Sequence, residues 1–468
     1  MIYNKCIIAI CIFSNVLVFV KAQNLSCNLD TTQCYFYKKF DSDFEVQMEK
    51  KNIGKQVVAQ QQTPLIMDLN NDCIPEIITA GFNNFSNNWL ASSEIIAFDN
   101  NAQNTLYTIS TYYFFTYTNS FVFIKHNNEF EIILAVADIN INPFNVRGKL
   151  VCYNSDNTIK WISDQKYSGQ IGQSGSLSLA DFNRDGISEI FIHNNIFNTE
   201  TGILLASGGN NGMGGTGLST VSIAANLDDD PNDLELAAGY TVYKIKLNNL
   251  NGVVGNTIIP NNVLINGLGR DGLTTVSDIN SDQKLDIIVI TAQSFYSGIY
   301  IYTYQNSTYE IIAKIDWPTY LQFGVLSIGN LTQIGKLDIL LTTNNAIKKY
   351  SYDNSILLKE DWSLTVNDGS GFSGLSMFDF DNDSIHEIIY RDEVELKIIN
   401  AKNDNPKIIF KTNCVSQTHF EYPLIADIDG TGETKICVTC SENFSDQNGK
   451  LTIFGPPPGQ HWAPARNI

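Results

Sequence analysis

Short apolar runs separated by polar turns recur from about Gln61 to Pro456, and they keep a fixed order. A brief apolar run comes first (Pro64 to Met67, Ser176 to Leu179, Leu375 to Phe378). A compact polar loop follows, and then a second run with an acidic residue at its head: EIITAG, EIFIHN, LDIIVIT, LDILLTT and HEIIYRD. Two further alternating runs come after a variable loop, as in GIYIYTYQNSTYEIIAKI, which reads as a pair of strands joined by a polar turn. Essentially no stretch carries a helical period, so each unit is expected to be four short strands. The strand after the loop marks units at Glu76, Glu131, Glu189, Glu235, Asp286, Asp338, Glu387 and Lys435, eight positions 46 to 58 residues apart. One four-stranded sheet cannot bury both faces without neighbours, so the pattern predicts an all-β fold, a β-propeller of seven or eight four-stranded blades. Counting leaves seven or eight open, because the second unit, HNNEFEIILAVAD, has almost none of the loop found in the others.

The loops carry the candidate chemistry. DFNRDGISEI places Asp181, Asn183 and Asp185 at positions 1, 3 and 5, a turn-forming Gly186 at position 6, and Glu189 at position 9. Acceptor oxygens at that spacing suit a hard, oxygen-seeking cation, calcium (Ca2+) above all. The same frame returns as Asp68, Asn70, Asp72 and Glu76, as Asp278, Asn280, Asp282 and Asp286, and as Asp379, Asp381, Asp383 and Glu387. An EF-hand needs Glu at position 12 and a helix on each side. Position 12 here is Thr79, Ile192, Val289 or Tyr390, which excludes it. An ordinary Asx turn explains one such loop better than metal does, but four copies that keep positions 1, 3, 5 and 9 together favour metal. Weaker copies start at Asn226 (one extra residue), Asn330 (middle ligands lost) and Asp427 (ending on Lys435), and these are expected to bind metal poorly or not at all.

The D-x-[DN]-x-D-x-x-x-[DE] loop and the strand after it resemble the calcium-loop β-propellers called FG-GAP or VCBS-like repeats, found in integrin alpha heads and in secreted bacterial proteins. The resemblance covers about Gln61 to Pro456, although the Phe-Gly and Gly-Ala-Pro signatures are mostly absent. It implies calcium loops between the first and second strands of each blade, and a binding rather than a catalytic role.

Composition fits this picture. Hydrophobic residues make up 43% of the 468, ample for a core, and the low charged fraction of 17% reflects abundant Asn, Ser and Thr rather than disorder. The formal net charge of -19 argues against nucleic acid as a partner. Thirteen carboxylates sit in the four intact loops, so much of the acidity is accounted for by metal ligation.

Residues 1–22 read as a secretory signal peptide, with Lys5, an apolar run from Cys6 to Val20, and Val20 and Ala22 before the cleavage point. That run is short for a membrane span, and no later stretch is apolar enough for one. Location is therefore expected to be secreted or at the cell surface. Residues 23–60 form an N-terminal segment, 61–455 the propeller, and 456–468, with GPPPG at its start, a Pro-rich exit linker that leads to further modules if the protein continues. Seven cysteines remain after processing. Cys27 with Cys34, and Cys414 with Cys437 or Cys440, are the candidate disulfides, and a zinc site at Cys437-x-x-Cys440 lacks a second ligand pair.

No catalytic set is visible. The five histidines (His126, His193, His386, His419, His461) are scattered singly, no Gly-x-Ser-x-Gly elbow occurs, and the glycine-rich stretch 206–220 lacks the lysine of a phosphate loop. Function is expected to be binding. The loops joining second to third strands open on the face opposite the metal loops, and several carry aromatic or basic residues: Phe82, Phe85 and Trp89; Phe144 and Arg147; Phe295 and Tyr296. Such residues on a rigid scaffold suit an extracellular protein or glycan ligand. The competing class is a polysaccharide-active enzyme resembling the rhamnogalacturonan lyases, which also use calcium-dependent eight-bladed propellers.

Overall fold

A computed structural model describes residues 49–464, except for 54–57, 60–61, 82–90, 116–119, 127–128, 137–147, 168–175, 210–219, 263–270, 294–295, 420 and 444–447. The described residues form eight antiparallel blades and a single helical turn, Lys402–Asp404. The second strands of blades 1 to 8 are Glu76–Gly81, Glu129–Ala135, Glu189–Ile192, Glu235–Ala237, Asp286–Gln293, Asp338–Thr343, Glu387–Arg391 and Lys435–Cys440. All eight residues that mark units in the sequence fall in these strands. The weak second unit is a full blade, Phe121–His126, Glu129–Ala135, Leu150–Asn154 and Ile159–Ile162, so the ring has eight.

The second strands read as unbroken apolar runs because both of their faces are covered. Side chains alternate across a strand, so Ile77 of blade 1 enters a cluster with Ala426, Cys437 and Ile453 of blade 8, while Ile78 enters one with Phe121, Ile132 and Leu134 of blade 2. Eight such clusters exist among the described residues, one at each blade boundary. The core is thus a closed belt of interfaces rather than a central mass.

Closure joins distant parts of the chain. Blade 8 takes three strands from the C-terminal side, Leu424–Ala426, Lys435–Cys440 and Asn448–Gly455, and its fourth is Glu49–Ile53, paired antiparallel to Asn448–Gly455. Val58–Ala59 then bridges Asn448–Gly455 to Glu76–Gly81 of blade 1. A disulfide between Cys414 and Cys440 ties the end of blade 7 to blade 8. Of the two candidate partners for Cys414 the structure selects Cys440. This also rules out the Cys437-x-x-Cys440 zinc site, and Cys437 stays buried and unbridged. Cys73 is disulfide-bonded as well. The suggested Cys27 to Cys34 bridge lies outside the described residues, as does the signal peptide.

The Pro-rich segment turns back onto the ring as far as Ala463. Trp462 is buried (3% exposed) against Phe380, with ring centroids 4.9 Å apart in an edge-on arrangement. The Ala463 N–H donates to the Phe380 carbonyl at 2.8 Å, and the Thr434 hydroxyl donates to the Ala463 carbonyl. Replacing a buried tryptophan with alanine costs about 3–5 kcal/mol. Trp462→Ala is therefore expected to lower the denaturant midpoint by an amount in that range, and a change below about 1 kcal/mol would show that the tail contributes little to the ring.

Candidate metal loops

The four intact loops share one backbone design. Positions 4 and 6 both have positive φ: Asn71 and Cys73 (67° and 69°), Arg184 and Gly186 (58° and 88°), Ser281 and Gln283 (63° and 72°), and Asn382 and Ser384 (56° and 71°). Only one of these eight residues is glycine, and left-handed backbone is unfavourable for the others. The hydrogen bonds that this turn makes possible hold it in place.

Those bonds repeat from loop to loop. The position 6 N–H donates to the position 1 carboxylate: Gly186 to Asp181 at 2.9 Å, Gln283 to Asp278 at 2.9 Å, Ser384 to Asp379 at 2.7 Å and Cys73 to Asp68 at 3.2 Å. The position 5 N–H donates to the position 3 side chain at 2.8 to 3.1 Å, as Asp72 to Asn70 and Asp383 to Asp381. The position 7 N–H donates to the position 5 carboxylate at 2.8 to 2.9 Å, as Ile187 to Asp185 and Lys284 to Asp282. Amides thus orient every predicted ligand at positions 1, 3 and 5.

Position 9 closes the loop from the strand side. Glu76, Glu189, Asp286 and Glu387 are at most 3% exposed, and each accepts the position 2 N–H: Leu69 at 2.6 Å, Phe182 at 2.9 Å, Ile279 at 3.0 Å and Phe380 at 3.2 Å. Burial pushes these carboxyls up, helped by the neighbouring loop aspartates. Glu189 rises to about 8 and Asp286 to about 6, Glu76 rises, and Glu387 lies well above the usual range. In blade 1 the Asn70 carboxamide donates to both Asp72 (3.0 Å) and Glu76 (2.9 Å) and relieves their repulsion. Asn280 does the same in blade 5, to Asp282 at 3.1 Å and Asp286 at 3.3 Å. Blade 7 has Asp381 at that position. There Asp379, Asp381 and Glu387 bring oxygens within 4.8 Å of one another. An all-oxygen set of buried, mutually repelling carboxylates fits a hard divalent cation.

One cluster escapes the sequence pattern. In blade 4, Asp228, Asp233 and Glu235 also bring oxygens within 4.8 Å. Glu235 is fully buried, accepts the Leu227 N–H at 2.9 Å, and is pushed up to about 7 by burial. The extra residue in this loop shifts the frame, and the only hint in the sequence is the acidic run itself.

Position 2 links each loop to the core. Leu69, Phe182, Ile279 and Phe380 are buried in the clusters between blades 1 and 2, 3 and 4, 5 and 6, and 7 and 8. The weaker loops place Leu227, Leu331 and Ile428 in the same way, at the boundaries 4 to 5, 6 to 7 and 8 to 1. Every loop therefore anchors in the boundary with the next blade.

Of the ligand-face candidates, Phe82, Phe85, Trp89, Phe144, Arg147 and Phe295 lie outside the described residues. Tyr296 opens the third strand of blade 5, its backbone opposite Gln293. Consecutive strands are antiparallel in the blades, so each third strand starts at the end of the second strand away from position 9. Among the described residues two histidines are buried, His193, held down to about 4 by desolvation, and His386, whose Nδ1 accepts the Asn330 N–H at 3.0 Å, while the half-buried His419 stacks on Phe372. No helix among the described residues is long and apolar enough to cross a membrane.

No protein-family model matches the chain, and neither does any curated protein. Solved structures do resemble it. The V. cholerae biofilm matrix protein Bap1 is similar over 90% of this chain and 92% of its own, with a TM-score of 0.64 at 14% identity. A Bacillus licheniformis rhamnogalacturonan lyase is similar over 88% of this chain and 75% of its own, with a TM-score of 0.53 at 13% identity. Both likenesses are of fold: the chain is an eight-bladed β-propeller.

Proposed function

We propose that this chain is a calcium-stabilised propeller, secreted or displayed at a cell surface, that binds an extracellular protein or glycan. The observation that carries the reading is the fourfold repetition of one oxygen-lined loop, each with a buried carboxylate at position 9 and a position 2 side chain in a blade boundary. Asp68, Asn70, Asp72 and Glu76, and their counterparts in blades 3, 5 and 7, would hold the ions. Bound calcium supplies positive charge that the buried carboxylates otherwise obtain only from protons. Its role here is to fix blade boundaries, which leaves the opposite face for the ligand. The likeness to a biofilm matrix protein and the Cys414 to Cys440 disulfide support an extracellular adhesive role. A polysaccharide lyase remains the second reading, supported by fold likeness alone.

Each site contributes RT ln(1 + [L]/Kd), about 1.4 kcal/mol at tenfold saturation. Millimolar calcium should therefore raise the thermal midpoint clearly over excess chelator, and an unchanged midpoint would reduce the loops to turns.

The pH response has a defined sign. Glu189 and Glu235 have folded values of about 8 and 7 against an ordinary 4.5. Their protonated forms stabilise the ion-free fold, and that contribution is lost as pH rises through the folded values. His193, His386 and His419 oppose this as they charge in the unfolded chain, each half charged at 6.5, which offsets part of the carboxylate contribution at the lower end of the interval. In chelator the midpoint is expected to rise when pH is lowered from 8 to 6.5, and calcium should remove the Glu189 share of the trend while leaving that of Glu235. A fall over that interval would contradict the assignment.

Trp89→Ala and Arg147→Ala are expected to weaken capture of glycan or protein ligands tenfold or more while leaving the calcium-dependent melt intact. Retained binding in both would remove these residues from the ligand face. Incubation with rhamnogalacturonan, followed by the absorbance of an unsaturated product, separates the two readings, since only a lyase generates that signal.

A further inference from the structure

All eight blades bring carboxylates to the start of the second strand, and the described residues meet that charge in two ways that alternate around the ring. In blades 1, 3, 5 and 7 the position 9 carboxylates are Glu76, Glu189, Asp286 and Glu387, and none of them forms an ion pair among the described residues. In blades 2, 4, 6 and 8 a lysine ammonium reaches the corresponding place. Lys160 lies 2.6 Å from Glu131 in blade 2. Lys244, directly across the strand pair from Glu235, lies 3.2 Å from Asp228 and 3.5 Å from Asp233 in blade 4. Lys349 of blade 6 is buried with Asp338 at 3.0 Å, Asp361 at 2.9 Å and Asp404 at 2.6 Å. Lys435 of blade 8 itself occupies position 9 and meets Asp429 at 3.5 Å and Glu433 at 2.7 Å.

The four lysines come from different strands: the fourth in blade 2, the third in blades 4 and 6, and the second in blade 8. One repeated side-chain pair would keep a fixed register. Arrival at one place from three registers is what a common demand for positive charge produces, because a buried carboxylate without a counter-charge is costly. Among the described residues two lysines approach loops of the odd blades, Lys125 at 3.9 Å from Asp68 and Lys402 at 2.8 Å from Asp383, but Lys125 belongs to a strand of blade 2 and Lys402 to the turn after a strand, so neither lies across the strand pair from position 9 as Lys244 lies across from Glu235.

We propose that the cation of each blade alternates, a divalent ion in blades 1, 3, 5 and 7 and a lysine ammonium in blades 2, 4, 6 and 8. The inference rests on the calcium reading of the odd loops. Blade 4 carries the equivalence furthest. Asp228, Asp233 and Glu235 present oxygens within 4.8 Å of one another, and Glu235 Oε1, Asp233 Oδ1 and Asn226 Oδ1 accept no hydrogen bond. Glu235 is wholly shielded from solvent. This is an oxygen set suited to a divalent ion, with Lys244 as its resident charge. Removing that ammonium converts blade 4 into a fifth metal site.

Equilibrium dialysis of the full-length chain against calcium, with folding checked by circular dichroism, tests this by ion stoichiometry. The expected values are four ions per native chain, five for Lys244→Met and four for Lys244→Arg. Lys435→Glu, which restores position 9 beside Asp427 and Asp429, is expected to reach five as well, and it decides the matter if Lys244→Met does not fold. More than four ions on the native chain overturns the alternation, as does a count of four for folded Lys244→Met and Lys435→Glu. Both outcomes leave the odd calcium loops standing. A native chain that binds no ion overturns the calcium reading itself.

Discussion

The constraint on which blades 1, 3, 4, 5 and 7 depend is a carboxylate placed at the start of a buried β-strand. It accepts the N–H of position 2, and the position 2 side chain sits in the boundary with the next blade. One residue therefore ties a turn, a strand and an interface together. The same burial makes the ionised form costly, as the upward shifts of Glu189 and Asp286 show. Whatever supplies positive charge at that point, proton, metal ion or ammonium, becomes part of the packing.

A ring of interfaces has a weakness that a compact core lacks, since the first and last blades must find each other across the whole chain. Here three connections act at the closing sector. Glu49–Ile53 pairs with Asn448–Gly455, Val58–Ala59 bridges blade 8 to blade 1, and the Cys414 to Cys440 bridge fastens blade 8 to blade 7. A disulfide closing a loop of this length restricts the unfolded chain by about 3 kcal/mol. Trp462 adds a fourth connection, passing from blade 8 back to Phe380 at position 2 of the blade 7 loop.

How legible this was from the sequence depends on the range of each interaction. Strands, loops and repeat spacing were readable because they are local: period-2 alternation and a nine-residue ligand frame fit within one short window. The eighth blade needed the structure, since Glu131 lies in a strand whose preceding turn is too short to carry the frame. Glu49–Ile53, sequence EKKNI, has no apolar alternation, and its partner lies some 400 residues away, so nothing local marks it as a blade strand. The prolines before Trp462 read as a linker because composition does not show where a chain turns back. The Asp228, Asp233 and Glu235 cluster was hidden by one inserted residue, and the lysines by their lack of a common spacing.

Alternation has a mechanical consequence once the anchoring of position 2 is considered. Odd-blade loops anchor in the boundaries 1 to 2, 3 to 4, 5 to 6 and 7 to 8, through Leu69, Phe182, Ile279 and Phe380. Even-blade loops anchor in 4 to 5, 6 to 7 and 8 to 1, through Leu227, Leu331 and Ile428. If the odd cations are exchangeable ions and the even ones covalently tethered ammonium groups, loss of calcium loosens every second boundary and spares the rest. The ring would then relax as pairs of blades rather than opening at one seam. Its closing boundary, between blades 8 and 1, belongs to the protected set: the lysine loop of blade 8 supports it through Ile428, and the strand exchanged between the two ends of the chain lies across it. On that proposal, loss of the odd-blade ions would spare the one boundary where the two ends of the chain meet.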